Sequence, residues 1–230
     1  MRRIKVTAMA FVVSLVVVSP GNATARDKEG HAADLPDYRP GETFIFSNKR
    51  VEHIKSIDDD LITLASRKDH QYTRHRNIVL PVMQWRMAGK TGRRSVHGNA
   101  AELWPLRVGN SAGFRILSEI RDNEKQPSVR RVELWRCRVA AREDIHVPAG
   151  EFKSYRIVCD HYSENSMRIL QRYTWHYSPA VGHYVRREVK NFFTGDSHSM
   201  ELVATLPPGK GNALRIKALM ETLTDEPAGR

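Results

Sequence analysis

From residue 41 onward, apolar and polar residues alternate with a period of two, the pattern of strands with one buried and one wet face. Residues 43–47, 51–57 and 61–66 are short runs rich in β-branched side chains, parted by Asn48-Lys49 and Asp58-Asp59-Asp60. That spacing predicts a meander of hairpins. Residues 71–76 and 83–87 extend it, while 89–99 (GKTGRRSVHGN) reads as a turn-rich, exposed loop. Alternation returns over 114–121, 129–139 and 152–159. A further hairpin comes next, with Ile169, Tyr173, Trp175 and Tyr177 on one face and Arg168, Arg172 and His176 on the other. Ser178-Pro179 turns the chain, and 182–189 returns with Val185 and Val189 on one side. Residues 200–205 read as a last strand and 214–223 as a short amphipathic helix ended by Asp225-Glu226-Pro227. Nothing alternates strand with helix. The expected fold is mainly β: an antiparallel, strongly curved sheet or half-barrel of consecutive hairpins, with at most one short C-terminal helix.

The first 25 residues follow another logic. Arg2, Arg3 and Lys5 precede an apolar run from Ala8 to Val18, broken at Ser19-Pro20-Gly21. Ala23-Thr24-Ala25 then offers the small-x-small site of signal peptidase, so cleavage before Arg26 is expected. As a helix that run reaches roughly 16 Å, about half of a ~30 Å hydrocarbon core, which argues against an anchor. The expected organisation is a signal peptide (1–25), a flexible lead-in (26–40), an antiparallel β domain (41–208) and a tail with the short helix (209–230). The expected location is the periplasm or the exterior, with no transmembrane segment in the mature chain.

The chain carries 37 Lys and Arg against 26 Asp and Glu. Loss of Arg2, Arg3 and Lys5 with the leader leaves 34 against 26, a net charge of about +8. Outside the cytoplasm such a protein meets anionic lipids and cell-wall polymers rather than nucleic acid, so the expected partner is an envelope lipid, an anionic polymer or an envelope protein. The positives are dispersed, which also fits plain solubility.

An exported context makes the two cysteines a disulfide. Cys137 and Cys159 lie on two strand-like runs whose midpoint is position 148, inside Val147-Pro148-Ala149-Gly150. A simple hairpin centred there sets them opposite each other and on the same face.

Other constellations are weaker. Gly109-Asn110-Ser111-Ala112-Gly113 matches G-x-S-x-G, but Phe114-Arg115-Ile116-Leu117 reads as a strand, whereas a nucleophile elbow needs a helix at that place. The ten histidines show no ligand spacing and read as scattered over the surface; His176 and His183 fall on opposite faces of their hairpin. Asp58-Asp59-Asp60 reads as a charged turn, not a calcium loop. Carboxylate pairs drawn from Glu133, Glu143 or Glu188 have no spacing that marks a glycosidase. No catalytic residue, metal ligand or cofactor site is expected. Leu103-Trp104-Pro105-Leu106 reads as a core plug at the mouth of the sheet, with a hydrophobic lip over a ligand cavity as the alternative. Trp104, Tyr173 and Trp175 are thus the candidate ligand-lining residues. Arg136, Arg138, Arg168, Arg172 and Arg186 recur on wet faces, with Glu188 as a cross-strand partner for Arg172.

Val147-Pro148-Ala149-Gly150-Glu151-Phe152, then Tyr177-Ser178-Pro179-Ala180-Val181-Gly182 and Val185-Arg186-Arg187-Glu188, resemble the V-P-A-G-x-F and Y-S-P-x-V-G motifs of uncharacterised periplasmic β domains. The resemblance spans roughly residues 128–205. It implies a twisted antiparallel sheet in the manner of the outer-membrane lipoprotein carriers, and transfers no catalytic residue. By that analogy the domain is a non-enzymatic binder of a lipophilic or anionic envelope component. The alternatives are a structural or interaction module of an envelope complex and, last, a hydrolase using Ser111 or a carboxylate pair.

Overall fold

The computed structural model describes residues 32–67, 70–87, 89–122, 127–164 and 166–222. The expected cleavage site at Ala23, Ala25 and Arg26 lies outside the described residues. Twelve strands run β1 Thr43–Phe46, β2 Val51–Asp58, β3 Leu61–Arg67, β4 His70–His75, β5 Gln84–Met87 and β6 Lys90–Gly98, then β7 Ser111–Arg121, β8 Val129–Val147, β9 Gly150–Ser163, β10 Ile169–Ser178, β11 His183–Asn191 and β12 Ser197–Leu206. Every neighbouring pair is antiparallel, and β12 closes on β1, so the meander is a complete barrel. A helix, α1 (Ala213–Thr222), comes after it. The stop expected for that helix at Asp225-Glu226-Pro227 lies outside the described residues.

The meander is the one the alternation predicts, with an exception. Residues 89–99 are not a loop; most of them form β6, which pairs with β5 and β7. Its inward positions 92 and 94, a glycine and an arginine, carry no apolar signal, and only Val96 does, so the period-two pattern is nearly silent there.

Closure leaves the two ends unlike. The turns β1–β2, β3–β4, β5–β6, β7–β8, β9–β10 and β11–β12 gather at one end. The other end receives the longer connections, 76–83 and 99–110, and they seal it. Ile78, Val79, Leu80, Leu103 and Leu106 are buried there. Asn77 ties the two loops: its amide donates to the Ala100 carbonyl (3.1 Å), and its Oδ1 accepts from Trp104 Nε1 (3.0 Å). Residues 32–40 complete the seal, contrary to the flexible lead-in expected of them. Ala33 and Leu106 exchange backbone hydrogen bonds of 3.1 and 2.7 Å, and Tyr38 is buried. A polar, Pro-containing sequence conceals this because Ala33, Pro36 and Tyr38, spaced among polar residues, are the ones buried.

An eight-stranded barrel is just wide enough for side chains to fill, whereas twelve strands enclose more space. Here the filling is aromatic and ionic. Trp135, Tyr173 and Trp175 form a stack with centroids 5.0 and 5.4 Å apart, and Phe46 stacks on Tyr184 at 5.1 Å. The disulfide Cys137–Cys159 lies among them, both residues buried.

Candidate functional site

Near the turn-bearing end the filling stops, leaving a cleft of about 490 Å³. Tyr72 on β4, Trp85 on β5 and Arg94 on β6 line it together with Arg50 at the threshold of β2. Tyr72 and Trp85 are directly paired across β4 and β5, and Trp85 is opposite Gly92 on β6. A side chain at position 92 would collide with the indole, so glycine there lets Trp85 lie flat on the wall. Arg94, two residues along the same face, then rests over that indole, its Cζ 4.5 Å from the ring centroid.

The charge of the cleft is one-sided. Lys49, Arg50, Arg86 and Arg94 line it with His70, and among the described residues no carboxylate does. Arg94 gives its hydrogen bonds to the Val82 carbonyl (2.8 Å) and Ser118 Oγ (3.1 Å), neutral acceptors both. Burial lowers its pKa and Glu133 opposes the effect from a distance; the guanidinium keeps its proton. A partly buried cation served by neutral partners, in a low-dielectric cleft, retains most of its field for whatever enters.

Beneath the cleft lies an ionic cluster built on Glu52, which is fully buried. Its Oε1 accepts from Arg50 Nε and from the Tyr184 hydroxyl, each at 2.8 Å. Its Oε2 lies 3.3 Å from Arg74 Nη1 and 3.3 Å from His183 Nε2. Tyr38 reaches His183 Nδ1 at 2.6 Å from the sealed end. Burial pushes the Glu52 carboxyl up, but Arg74, His183 and Arg50 together hold it well below the usual carboxylate range. Burial keeps His183 low despite Glu52, and thus neutral. Two arginines share one carboxylate, so the cluster adds positive charge under the cleft. Arg50 joins the two: it is bound to Glu52 below, and its Nη2 donates to the Tyr72 hydroxyl at 3.0 Å above.

Sequence reasoning missed this cluster, although a signal was present. Glu52 stands in phase with the inward Ile54, and Arg74 with the inward Tyr72, so both are charges at core positions. Tyr184 was hidden by a bulge. The β10–β11 register slips between His176 and Tyr177, pairing Tyr177 with Tyr184. Tyr184 therefore takes the inward place that simple alternation assigns to Val185, though Val185 is buried as well.

The other candidates separate. Trp104 is at the sealed end, edge-on to Tyr177 at 5.2 Å. Tyr173 and Trp175 belong to the interior stack, and the cleft is lined by different residues. His176 and His183 are buried rather than superficial, because each faces a carboxylate: His176 Nδ1 is 3.3 Å from Glu143. Arg172 pairs with Asp160 on β9 through bonds of 2.7 and 3.1 Å, not with Glu188, because the register places Lys190 opposite it on β11. Ser111 opens β7 instead of a helix, which removes the elbow geometry. Among the described residues no group of His, Cys, Asp and Glu is arranged to hold a metal.

The outer wall is charged. Arg115, Arg136 and Arg138 are exposed on it, and the Arg172–Asp160 pair crosses it. A membrane-spanning barrel presents an apolar band at these positions. Among the described residues no helix is long and apolar enough to cross a membrane.

No protein-family model matches the chain, and a search of curated proteins finds no match. Among solved structures the chain is similar in fold to the hypothetical lipoprotein YmcC of Escherichia coli, with a TM-score of 0.48 at 10% identity over 72% of this chain and 84% of that one. It is also similar to a protein of Bacteroides fragilis described as exported and YmcC-like in fold, with a TM-score of 0.40 at 10% identity, covering 77% of this chain and 100% of that one. A protein of Parabacteroides distasonis described as a lipoprotein aligns with a TM-score of 0.38 at 11% identity, over 76% of this chain and 100% of that one.

Proposed function

We propose that this chain is a non-enzymatic, extracytoplasmic barrel that binds an anionic amphiphile in the cleft at its turn-bearing end. The observation that carries the reading is Arg94, lodged on Trp85 in a cleft lined by four cationic side chains and, among the described residues, no carboxylate. Arg94 and Arg50 suit a phosphate, sulfate or carboxylate group, since guanidinium forks match such oxygens. Trp85, Val51 and Met87 offer the adjoining apolar surface. The sealed opposite end makes the barrel a cup, so a ligand enters and leaves by one route. Export rests on the N-terminal leader pattern.

Titration calorimetry with short-chain phosphatidylglycerol, phosphatidylcholine of the same chain length and inorganic phosphate tests this reading. The anionic lipid is expected to bind most tightly, and Arg94→Gln to weaken it roughly tenfold or more, the value of a charge-assisted hydrogen bond. Phosphate alone is expected to bind weakly. Equal affinity for the two lipids, or indifference to Arg94→Gln, would overturn the proposal.

A further inference from the structure

Seven large apolar side chains are exposed among the described residues, and they are not spread evenly. Five belong to the turn-bearing end: Met87, Val129, Met167, Phe192 and Phe193. They come from four different turns, those joining β5 to β6, β7 to β8, β9 to β10 and β11 to β12. Phe193 is the extreme case at 90% exposed, on a tight turn fixed by Asn191, whose Oδ1 accepts from the amides of Phe193 (2.9 Å) and Thr194 (3.2 Å). A loop so pinned holds its phenyl ring outward by construction.

Basic residues accompany these tips. Arg86, Arg121, Arg168 and Lys190 flank them in sequence and are exposed. Lys190 and Arg172 both lie over the Phe192 ring, at 5.3 and 5.8 Å. Isolated exposed apolar residues need no explanation, but five gathered on the turns of one end and interleaved with cations form a patterned surface.

We infer that this end of the barrel docks on an anionic lipid bilayer, with the Phe192–Phe193 turn inserted at the headgroup level. Apart from Met87, which also lines the cleft, the tips stand on separate turns instead of lining a groove, an arrangement suited to a fluid surface that receives each one independently. The flanking cations are complementary to negative headgroups, and each adds to attraction that salt screens. The cleft opens on the same end through Lys49 and Met87, so docking would bring its mouth to the lipid. Docking of this end does not require a ligand in the cleft.

Vesicle flotation tests it, using protein purified after export from an expressing bacterium. Vesicles of phosphatidylcholine with about a third phosphatidylglycerol are compared with pure phosphatidylcholine at low and high salt. The protein is expected to float with the anionic vesicles and to be released by high salt. A Phe192→Ser/Phe193→Ser variant, both changes being on exposed positions, is expected to lose roughly tenfold or more of its partitioning while melting at the same temperature. The same double variant is expected to bind short-chain phosphatidylglycerol in calorimetry as the unaltered protein does, since neither phenylalanine lines the cleft, which separates this surface from the cleft. Failure to float, equal binding to both vesicles, or unchanged binding of the double variant would overturn the inference. Binding of the same turn to a purified envelope protein but not to lipid would overturn it equally.

Discussion

Arg94 rests on the indole of Trp85, 4.5 Å from guanidinium carbon to ring centroid, and Gly92 beside it supplies the space in which that indole lies. Three residues on two adjacent strands thus place a cation at the wall of the cleft. The stacking orients Arg94 without neutralising it, as an aspartate in the same place would.

Gly92 is held to a bare hydrogen by that indole. Substitution by alanine puts a methyl group where the Trp85 ring lies, so the ring must lift into the cleft. Gly92→Ala is expected to shift Trp85 fluorescence and weaken anionic-ligand binding, while Gly113→Ala, at an exposed position of β7 where a new methyl group meets nothing closer than 4.0 Å, leaves binding unchanged. Emission spectra and calorimetry on both variants check this.

Glu52 is the counter-charge for Arg50 and Arg74. Removing it strands two buried or half-buried guanidinium groups, a change that costs about 3–5 kcal/mol when a buried pair is broken. Glu52→Gln is expected to lower the urea midpoint accordingly. Asp160→Asn, which breaks the more exposed pair with Arg172, is expected to cost about 1 kcal/mol or less. Equal effects from the two would show the Glu52 cluster to be dispensable.

Acidification should destabilise the fold in two stages. Burial lowers His176 from 6.5 to about 4; Glu143 opposes the shift, and Arg186 and Arg156 add to it. The unfolded chain therefore takes up a proton near pH 6.5 that folded His176 refuses until about pH 4. The stability owed to the neutral ring is full above pH 6.5 and declines across that window. His183, also lowered by burial, acts in the same direction. Glu52 is depressed, so its contribution is present above the ordinary carboxylate range and lost at still lower pH. Melting temperature against pH is expected to fall below 6.5, and less steeply for His176→Asn.

Cys137 and Cys159 close a loop with a sequence separation of 22, for which chain entropy gives about 3 kcal/mol. The double alanine variant is expected to lose stability of that order. Because both cysteines are buried, the native protein is expected to resist mild reductant until denaturant is added. Ready reduction of the folded protein would contradict their interior position.

The same two cysteines show what a local pattern can and cannot carry. A symmetric hairpin about position 148 sets them opposite each other, and they are opposite. The route differs. Val147 pairs with Gly150, centring the turn half a residue later, and a bulge between Val139 and Ala141 restores the register. Strand positions are legible in the alternation because most inward residues are apolar. The cleft is not, because its wall is made of Gly92 and Arg94, which look like loop residues. The Glu52 cluster is illegible for a related reason: its members come from 38, 50, 52, 74, 183 and 184, and only closure of β12 on β1 brings the ends of that list together. Alternation specifies hairpins; it holds no information about which distant strands will face one another across a lumen.

The most direct measurement is the indole N–H spectrum of the protein as anionic lipid is added. The chain has four tryptophans, and Trp85→Phe assigns the resonance at the cleft. Short-chain phosphatidylglycerol is expected to move the Trp85 signal progressively and to leave Trp104, half-buried at the sealed end, where it was. Phosphatidylcholine of equal chain length should move neither. A Trp85 resonance that stays fixed, or a larger shift at Trp104 than at Trp85, would contradict the placement of the binding site at the open cleft.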